Sequence, residues 1–202
     1  MIRAFEGLGN VACLIQSLED QTREHADGEA RRLVQHPRAF ARSPVRPDAQ
    51  IRPALSTDVP ALDRIALEAK AHWGYPDRLL ALWRDELLTP PETLRSRPTF
   101  VAELEGRPIG FAQLDPDGEH CELAALWVLP DCMGRGIGRA LLRQVCRTAA
   151  AAGYGVIEID ADPNAAPFYA ACGATQVDQV PAPIDGEPAR VRPQFLLETG
   201  LV

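Results

Sequence analysis

Between Leu126 and Gly153 the chain reads LWVLPDCMGRGIGRALLRQVCRTAAAAG. An apolar run stops at Pro130, glycines follow at alternate positions (Gly134, Gly136, Gly138), and a helical stretch begins at once. A strand passed so directly to a helix belongs to an α/β layer arrangement. The glycines are there because the turn is tight or because something must approach its backbone. Free N–H groups at a helix start, with the helix dipole, make an anion site. Glycines remove the Cβ atoms that would hold a phosphate away.

Strand and helix signals place this turn in a longer order. Ile51–Leu55 (IRPAL) is a short strand. Thr57 or Asp58 then offers an N-cap, with Pro60 in the first turn of a helix that runs to about His72. A second helix starts near Pro76 and is closed by Pro90 and Pro91. TFVAEL and PIGFAQLD flank EGR as a hairpin, and CELAALWV is a longer strand. After the glycine turn and its helix come VIEID as a strand, NAAPFYAAC as a short helix, and TQVDQV and RPQFLLE as strands. The order β-α-α-β-β-β-α-β-α-β-β predicts a mixed α/β sheet covered by helices. Residues 1–48 stand apart. Val11, Leu14, Ile15 and Leu18 make a helical apolar stripe, and His36–Gln50 holds three prolines, so this segment reads as a helical arm and linker ahead of a domain at 49–202. Such an arm is either an accessory extension or a contact in a homodimer.

Composition narrows the function classes. With 202 residues, 46% hydrophobic, the chain is sized for one domain with a sizeable core. No apolar run approaches the roughly 20 residues that span a membrane. The N-terminus MIRAFEGLGN lacks the apolar core of a signal peptide. Cys13, Cys121, Cys132, Cys146 and Cys172 are scattered, without a CxxC pair, and read as reduced thiols in a cytoplasmic setting. The dispersed histidines suggest no metal site. A net charge of −7, all of it arising after residue 48, argues against nucleic acid and weakly favours cationic small molecules. Lys70 is the single lysine among 21 basic residues, which reads as a bias of composition.

Glycines before a helix are weak evidence alone. No GK[ST] follows, so a Walker loop is absent, and G-x-G-x-G late in the chain is not the dinucleotide fingerprint. The wider constellation is more specific. LAALWVLP, MGRGIG, RALLRQVCRTAAAAG, VIEIDADPNA and FYAACGA together resemble the GNAT superfamily of acyl-CoA-dependent N-acyltransferases. That family's loop reads Gln/Arg-x-x-Gly-x-Gly/Ala; Met133, Gly136 and Gly138 match it, with Met133 departing at the first position. The resemblance covers about 50–200 and implies a mostly antiparallel sheet of about seven strands with a splayed pair and about four helices. It implies acetyl-CoA as acyl donor and no metal. Backbone amides of Met133, Gly134, Arg135, Gly136, Ile137, Gly138 and Arg139 would hold its pyrophosphate. Leu126, Trp127 and Val128 would pair with the pantetheine arm and supply an oxyanion donor. Asn164 would contact the coenzyme, and Tyr169 would sit near its sulfur.

The chemistry asks for the same parts. A primary amine of a small molecule or an exposed amino group attacks a thioester directly, through a tetrahedral intermediate. The amine must first lose a proton, its pKa lying near about 10. The oxyanion needs donors already in place. The leaving thiolate gains from an acid, for which the resemblance offers Tyr169. Glu122, on the strand before the loop, matches a base used by some family members. It lies about 13 Å along an extended strand from Leu126, so it acts through water unless a bulge shortens the path. Arg135, Arg139, Arg143 and Arg147 form one helical stripe, of which the first two suit phosphates and the last two a solvated face. His72, Trp73 and Tyr75 sit between the first two helices and offer an amine pocket with cation–π contact, or else a packed turn with Gly74 as C-cap. A non-catalytic acyl-CoA-binding regulatory module is the alternative to an enzyme, and Tyr169 favours the enzyme.

Overall fold

The structure is a computed structural model and describes residues 49–200. The helical arm and linker expected over residues 1–48 lie outside the described residues. Seven strands form one sheet: β1 (Ala49–Pro53), β2 (Thr99–Leu104), β3 (Arg107–Asp117), β4 (His120–Val128), β5 (Val156–Asp160), β6 (Thr175–Pro181) and β7 (Val191–Glu198). Their spatial order is β1-β2-β3-β4-β5-β7-β6. Every neighbouring pair is antiparallel except β4 and β5, which run parallel.

Five helices accompany the sheet: α1 (Val59–His72), α2 (Asp77–Leu87), α3 (Thr93–Ser96), α4 (Ile137–Ala151) and α5 (Ala166–Ala171). The fifth, beyond the four expected, is α3, a single turn after the proline pair. Asp58 occupies the N-cap position of α1, as its sequence suggested, yet its carboxylate does not cap that helix. It accepts instead from the Arg52 guanidinium at 2.7 and 3.0 Å and from the Leu55 N–H at 2.7 Å, pinning β1 to the short 3-10 turn Ser56–Asp58. A paired arginine outcompetes a cap because both partners are charged. Gly74, at φ +76°, ends α1 in the left-handed conformation expected of a C-terminal glycine.

The core lies on both faces of the central strands. Ile109 to Leu114 of β3 are all buried, which requires cover on both sides, and α1 and α4 both pack against β3 and β4. Leu141, Leu142, Val145 and Cys146 turn the apolar stripe of α4 into the sheet, and Leu62, Ile65 and Ala66 do the same for α1. Each of these aliphatic side chains contributes about 1.5–3 kcal/mol of burial.

Two irregularities in β4 position everything that follows. The single register pair between β4 and β5 is Glu122 with Glu158, so beyond Glu122 the two strands part. The splayed pair is present. On its other edge β4 is bulged: Leu123 faces Leu114 while Ala125 faces Gln113, leaving Ala124 as an extra residue. A regular strand would put Glu122, Leu126 and Val128 on one face. The bulge separates them. Val128 reaches within 3.9 Å of where a side chain on Gly138 would begin, so it faces α4. Cys121 also faces α4, being close enough to affect the thiol of Cys146. Glu122, next to Cys121, therefore points to the opposite face.

Candidate active site

A cavity of about 360 Å³ lies where the opened edge of β4 meets the starts of α4 and α5. Its walls include Leu126, Val128, Met133, Gly134, Gly136, Ile137, Gly138, Arg139, Asn164, Tyr169 and Trp73. The structure thus brings most of the sequence-predicted residues to one place. Trp127 points to the other face, as the bulge dictates, but its backbone remains on the opened edge. Arg135 is exposed beside the loop. A larger hollow of about 510 Å³ near Leu55 and Arg95 has no glycine on its walls, and the helix it meets, α3, is a single turn.

The loop has the geometry an anion needs. Gly134 and Gly136 sit at φ +72° and +83°, where any side chain would be strained. Gly136 is the N-cap of α4. The first intrahelical bond runs from the Ala140 N–H to the Gly136 carbonyl at 3.0 Å, which leaves the N–H groups of Ile137, Gly138 and Arg139 free at the helix start. Gly138 has a different reason to be glycine: a Cβ there would meet the Phe168 ring at 3.2 Å. Arg139 donates to the Ala171 carbonyl at 2.8 Å, so one of its N–H groups ties α4 to the end of α5. These residues fit a phosphate-bearing coenzyme: the cradle is backbone, the space beside Gly134 is open, and the parting of β4 from β5 leaves the β5-side backbone groups of Leu126–Val128 without a strand partner.

Tyr169 is 7% exposed and packs against the rings of Phe168 and Phe195, at 5.2 and 6.0 Å between centroids. Burial raises its pKa well above that of a free phenol, so it stays protonated at neutral pH. Its hydroxyl has no hydrogen-bond partner among the described residues, although a buried tyrosine usually finds one. The carboxyl of Glu122 is raised as well, first by burial of its end and then by the charges of Asp160, Asp115 and Glu158, although the residue as a whole is exposed. It stands in register with Asp115 and Glu158, the middle of a row of carboxylates on the face away from α4. It does not line the cavity. The bulge shortens its path by one residue at most, leaving about 10 Å.

The turn between α1 and α2 sends its aromatic side chains to different places. His72 is exposed and meets Trp73 edge-on at 5.6 Å; Trp73 lines the cavity. The Tyr75 ring already meets two cations of the protein itself, the Lys70 ammonium at 4.7 Å from its centroid and the Arg190 guanidinium at 5.5 Å. Lys70 also lies 4.8 Å from the Trp83 ring. The Tyr75 hydroxyl donates to the Asp162 carboxylate at 3.0 Å and accepts from Asn164 at 3.2 Å and Arg190 at 3.1 Å. Asp162 takes a further bond from Lys70 at 2.5 Å and from the Asn164 N–H at 2.9 Å. Burial pushes this carboxyl up, but Lys70, Asn164 and Tyr75 together outweigh it and hold it below the usual carboxylate range. Lys70, Asp162, Arg190 and Trp83 escaped the sequence reading. The one available signal was the solitary lysine, which composition alone explained away.

Cys121, Cys132, Cys146 and Cys172 are buried free thiols, and burial pushes Cys121 and Cys146 up to about 11; Cys13 lies outside the described residues. Among the described residues no His, Cys, Asp and Glu side chains cluster as a metal site, and no helix is long and apolar enough to cross a membrane.

Known proteins share this arrangement. The family model described as the acetyltransferase (GNAT) family matches residues 60–174. The peptidyl-lysine N-acetyltransferase YiaC of Escherichia coli (strain K12) is 34% identical over 96 residues, 47% of this chain, and the match spans 63% of that relative's length. The GCN5-related N-acetyltransferase structure from Rhodopseudomonas palustris aligns at a TM-score of 0.63 and 25% identity, over 75% of this chain and 96% of that one. The PaiA N-acetyltransferase of Thermoplasma acidophilum, in complex with coenzyme A, aligns at 0.63 and 19% identity over 74% and 98%, a likeness of fold alone. A glycine-built helix start, a parted parallel strand pair and a family match across more than half the sequence lead to one conclusion: this chain belongs to the GNAT family of acetyltransferases.

Proposed function

We propose that this protein transfers an acetyl group from acetyl-CoA to a primary amine of a small molecule or to an exposed amino group. The observation that carries the reading is the meeting, in one cavity, of free helix-start amides, an opened strand edge and the hydroxyl-bearing Tyr169, whose oxygen bonds no other described residue. Acetyl-CoA would supply the activated acyl carbon. A nitrogen–carbon bond forms as the carbon–sulfur bond breaks; one proton leaves the amine and one arrives at sulfur. The N–H groups of Ile137, Gly138 and Arg139 bind phosphate oxygens. Backbone donors of Leu126–Val128 hold the arm and face the developing oxyanion. Tyr169 holds the proton that sulfur receives, and its raised pKa keeps that proton in place at neutral pH. Glu122 accepts the amine's proton through water, since it lies on the other face of the sheet. Trp73 shapes the acceptor side. The name of the Escherichia coli relative, a peptidyl-lysine N-acetyltransferase, supports an amine as acceptor.

The test is release of free thiol from acetyl-CoA across a panel of amines, with each product checked by mass. Acceptor-dependent release with a matching acetylated amine is expected. Tight coenzyme binding without thiol release from any amine would instead indicate a binding module.

A further inference from the structure

The cluster at the α1–α2 turn is unbalanced. Its side chains are poorly solvated, with 12% exposure for Lys70, 11% for Asp162 and 7% for Arg190. Lys70 takes the Asp162 carboxylate at 2.5 Å, and Arg190 stands 3.7 Å from it, beyond a hydrogen bond. Arginine does not give up its proton. Two cations therefore face one anion. Among the described residues no acid other than Asp162 pairs with Lys70 or Arg190. The rings of Tyr75 and Trp83 moderate Lys70, but a ring face is a weaker counterpart than a charge. A buried surplus charge is costly unless something completes it.

What completes it has one negative charge, accepts hydrogen bonds and arrives beside the cavity. Among the described residues only two of the five guanidinium N–H groups of Arg190 have acceptors, the Ala182 carbonyl and the Tyr75 hydroxyl, each at 3.1 Å. Arg190 bonds Tyr75, which bonds Asn164 on the cavity wall. A carboxylate matches the surplus of one and the planar fork; a phosphate dianion would overshoot it. The sheet adds the opposite sign nearby. Asp115, Glu122 and Glu158 stand in one row, and Asp160, two residues past Glu158, shares their face at the level where β4 and β5 have parted. Arg97, His120 and Arg192 pair with Asp115, Glu158 and Asp160, so among the described residues Glu122 is the carboxylate of that row without an ion pair, and an ammonium suits it.

We propose that Arg190 is a specificity residue for an acceptor that carries a carboxylate as well as its amine, such as an amino acid or a small amino carboxylic acid. This rests on the acetyltransferase reading. The acceptor's amine faces the parted strands, and its carboxylate completes the charge of Lys70, Asp162 and Arg190.

Matched acceptors test it. Phenylalanine is compared with 2-phenylethylamine and with phenylalanine methyl ester, and lysine with cadaverine, in thiol release from acetyl-CoA. The full-length protein should prefer the carboxylates by about tenfold or more in kcat/KM, the low end for a hydrogen bond to a charged group. Arg190→Gln should bring that ratio close to one with coenzyme A affinity unchanged, and Arg190→Lys should keep part of it. Equal rates for both members of each pair in the unmodified protein overturn the proposal, as does a preference that survives in an Arg190→Gln variant that still binds coenzyme A. If Arg190→Gln does not fold, the matched pairs in the unmodified protein and in Arg190→Lys decide the matter. Absence of thiol release with every amine, carboxylate or not, overturns the acetyltransferase reading itself and is recognisable as such.

Discussion

Where α4 begins, the cavity wall is backbone. Gly134, Gly136 and Gly138 carry no side chains, and the groups on offer are N–H donors fixed by a helix start. Across the cavity, at the α1–α2 turn, the wall is side chain: Trp73 and Asn164 line it, and behind Asn164 the side chains of Lys70, Tyr75, Asp162 and Arg190 hold it and one another through hydrogen bonds. The first construction tolerates any sequence that keeps the turn open. The second fails if one partner changes, because it leaves the others buried and unpaired. A donor common to a whole family suits the first wall, and an acceptor that varies between members suits the second.

The largest expected effect breaks the backbone wall. Gly136→Val places a β-branched residue at φ +83° and fills the cradle, so coenzyme A affinity should fall by more than about a hundredfold. Calorimetry on a folded variant checks it, and an unchanged Kd would remove the loop from coenzyme binding. Next is the hydroxyl between the two walls. Tyr169→Phe should cost about a hundredfold in kcat, the low end for a general acid, with coenzyme affinity kept. The loss should shrink with an acyl donor of lower thiol pKa; near-normal kcat with chemistry rate-limiting would show that the hydroxyl carries no proton. The smallest effect concerns the far face. Glu122→Gln should lower kcat by about tenfold, below the range for a base in direct contact. In the unmodified protein the rate should fall as pH drops through the raised carboxyl pKa of Glu122, above the usual value of about 4.3. A Gln variant that keeps this acid limb shows that another group titrates there.

Sequence reading served the two walls unequally, for the same physical reason. The loop is local: strand, glycines and helix fall within one stretch, and their geometry follows from residue types that allow φ > 0 and from a helix start. The order of strands was equally legible, since periodicity is a local signal. The bulge at Ala124 was not, because AALWV is apolar throughout and nothing in it marks where the faces exchange. It decides that Glu122 and Val128 look in opposite directions. The charged wall was the least legible part. Asp162 meets Lys70 across 92 positions and Tyr75 across 87, and Arg190 meets Tyr75 across 115. Tyr75 looks like a ligand's partner in sequence because the partners of its hydroxyl lie so far along the chain. Asp58 shows the same effect on a small scale, its capping capacity taken by an arginine six residues earlier.

The engagement of Lys70 reaches beyond the site. It is the sole lysine in the chain, and it is spent inside the molecule, against Asp162 and two rings. Thioesters acylate exposed lysines slowly without any catalyst, and an acetyltransferase lives beside a concentrated supply of one. A protein whose one lysine is paired in this way offers that side reaction no exposed lysine. Acetyl groups found on lysine in such a mixture would then belong to an acceptor rather than to the enzyme's own surface.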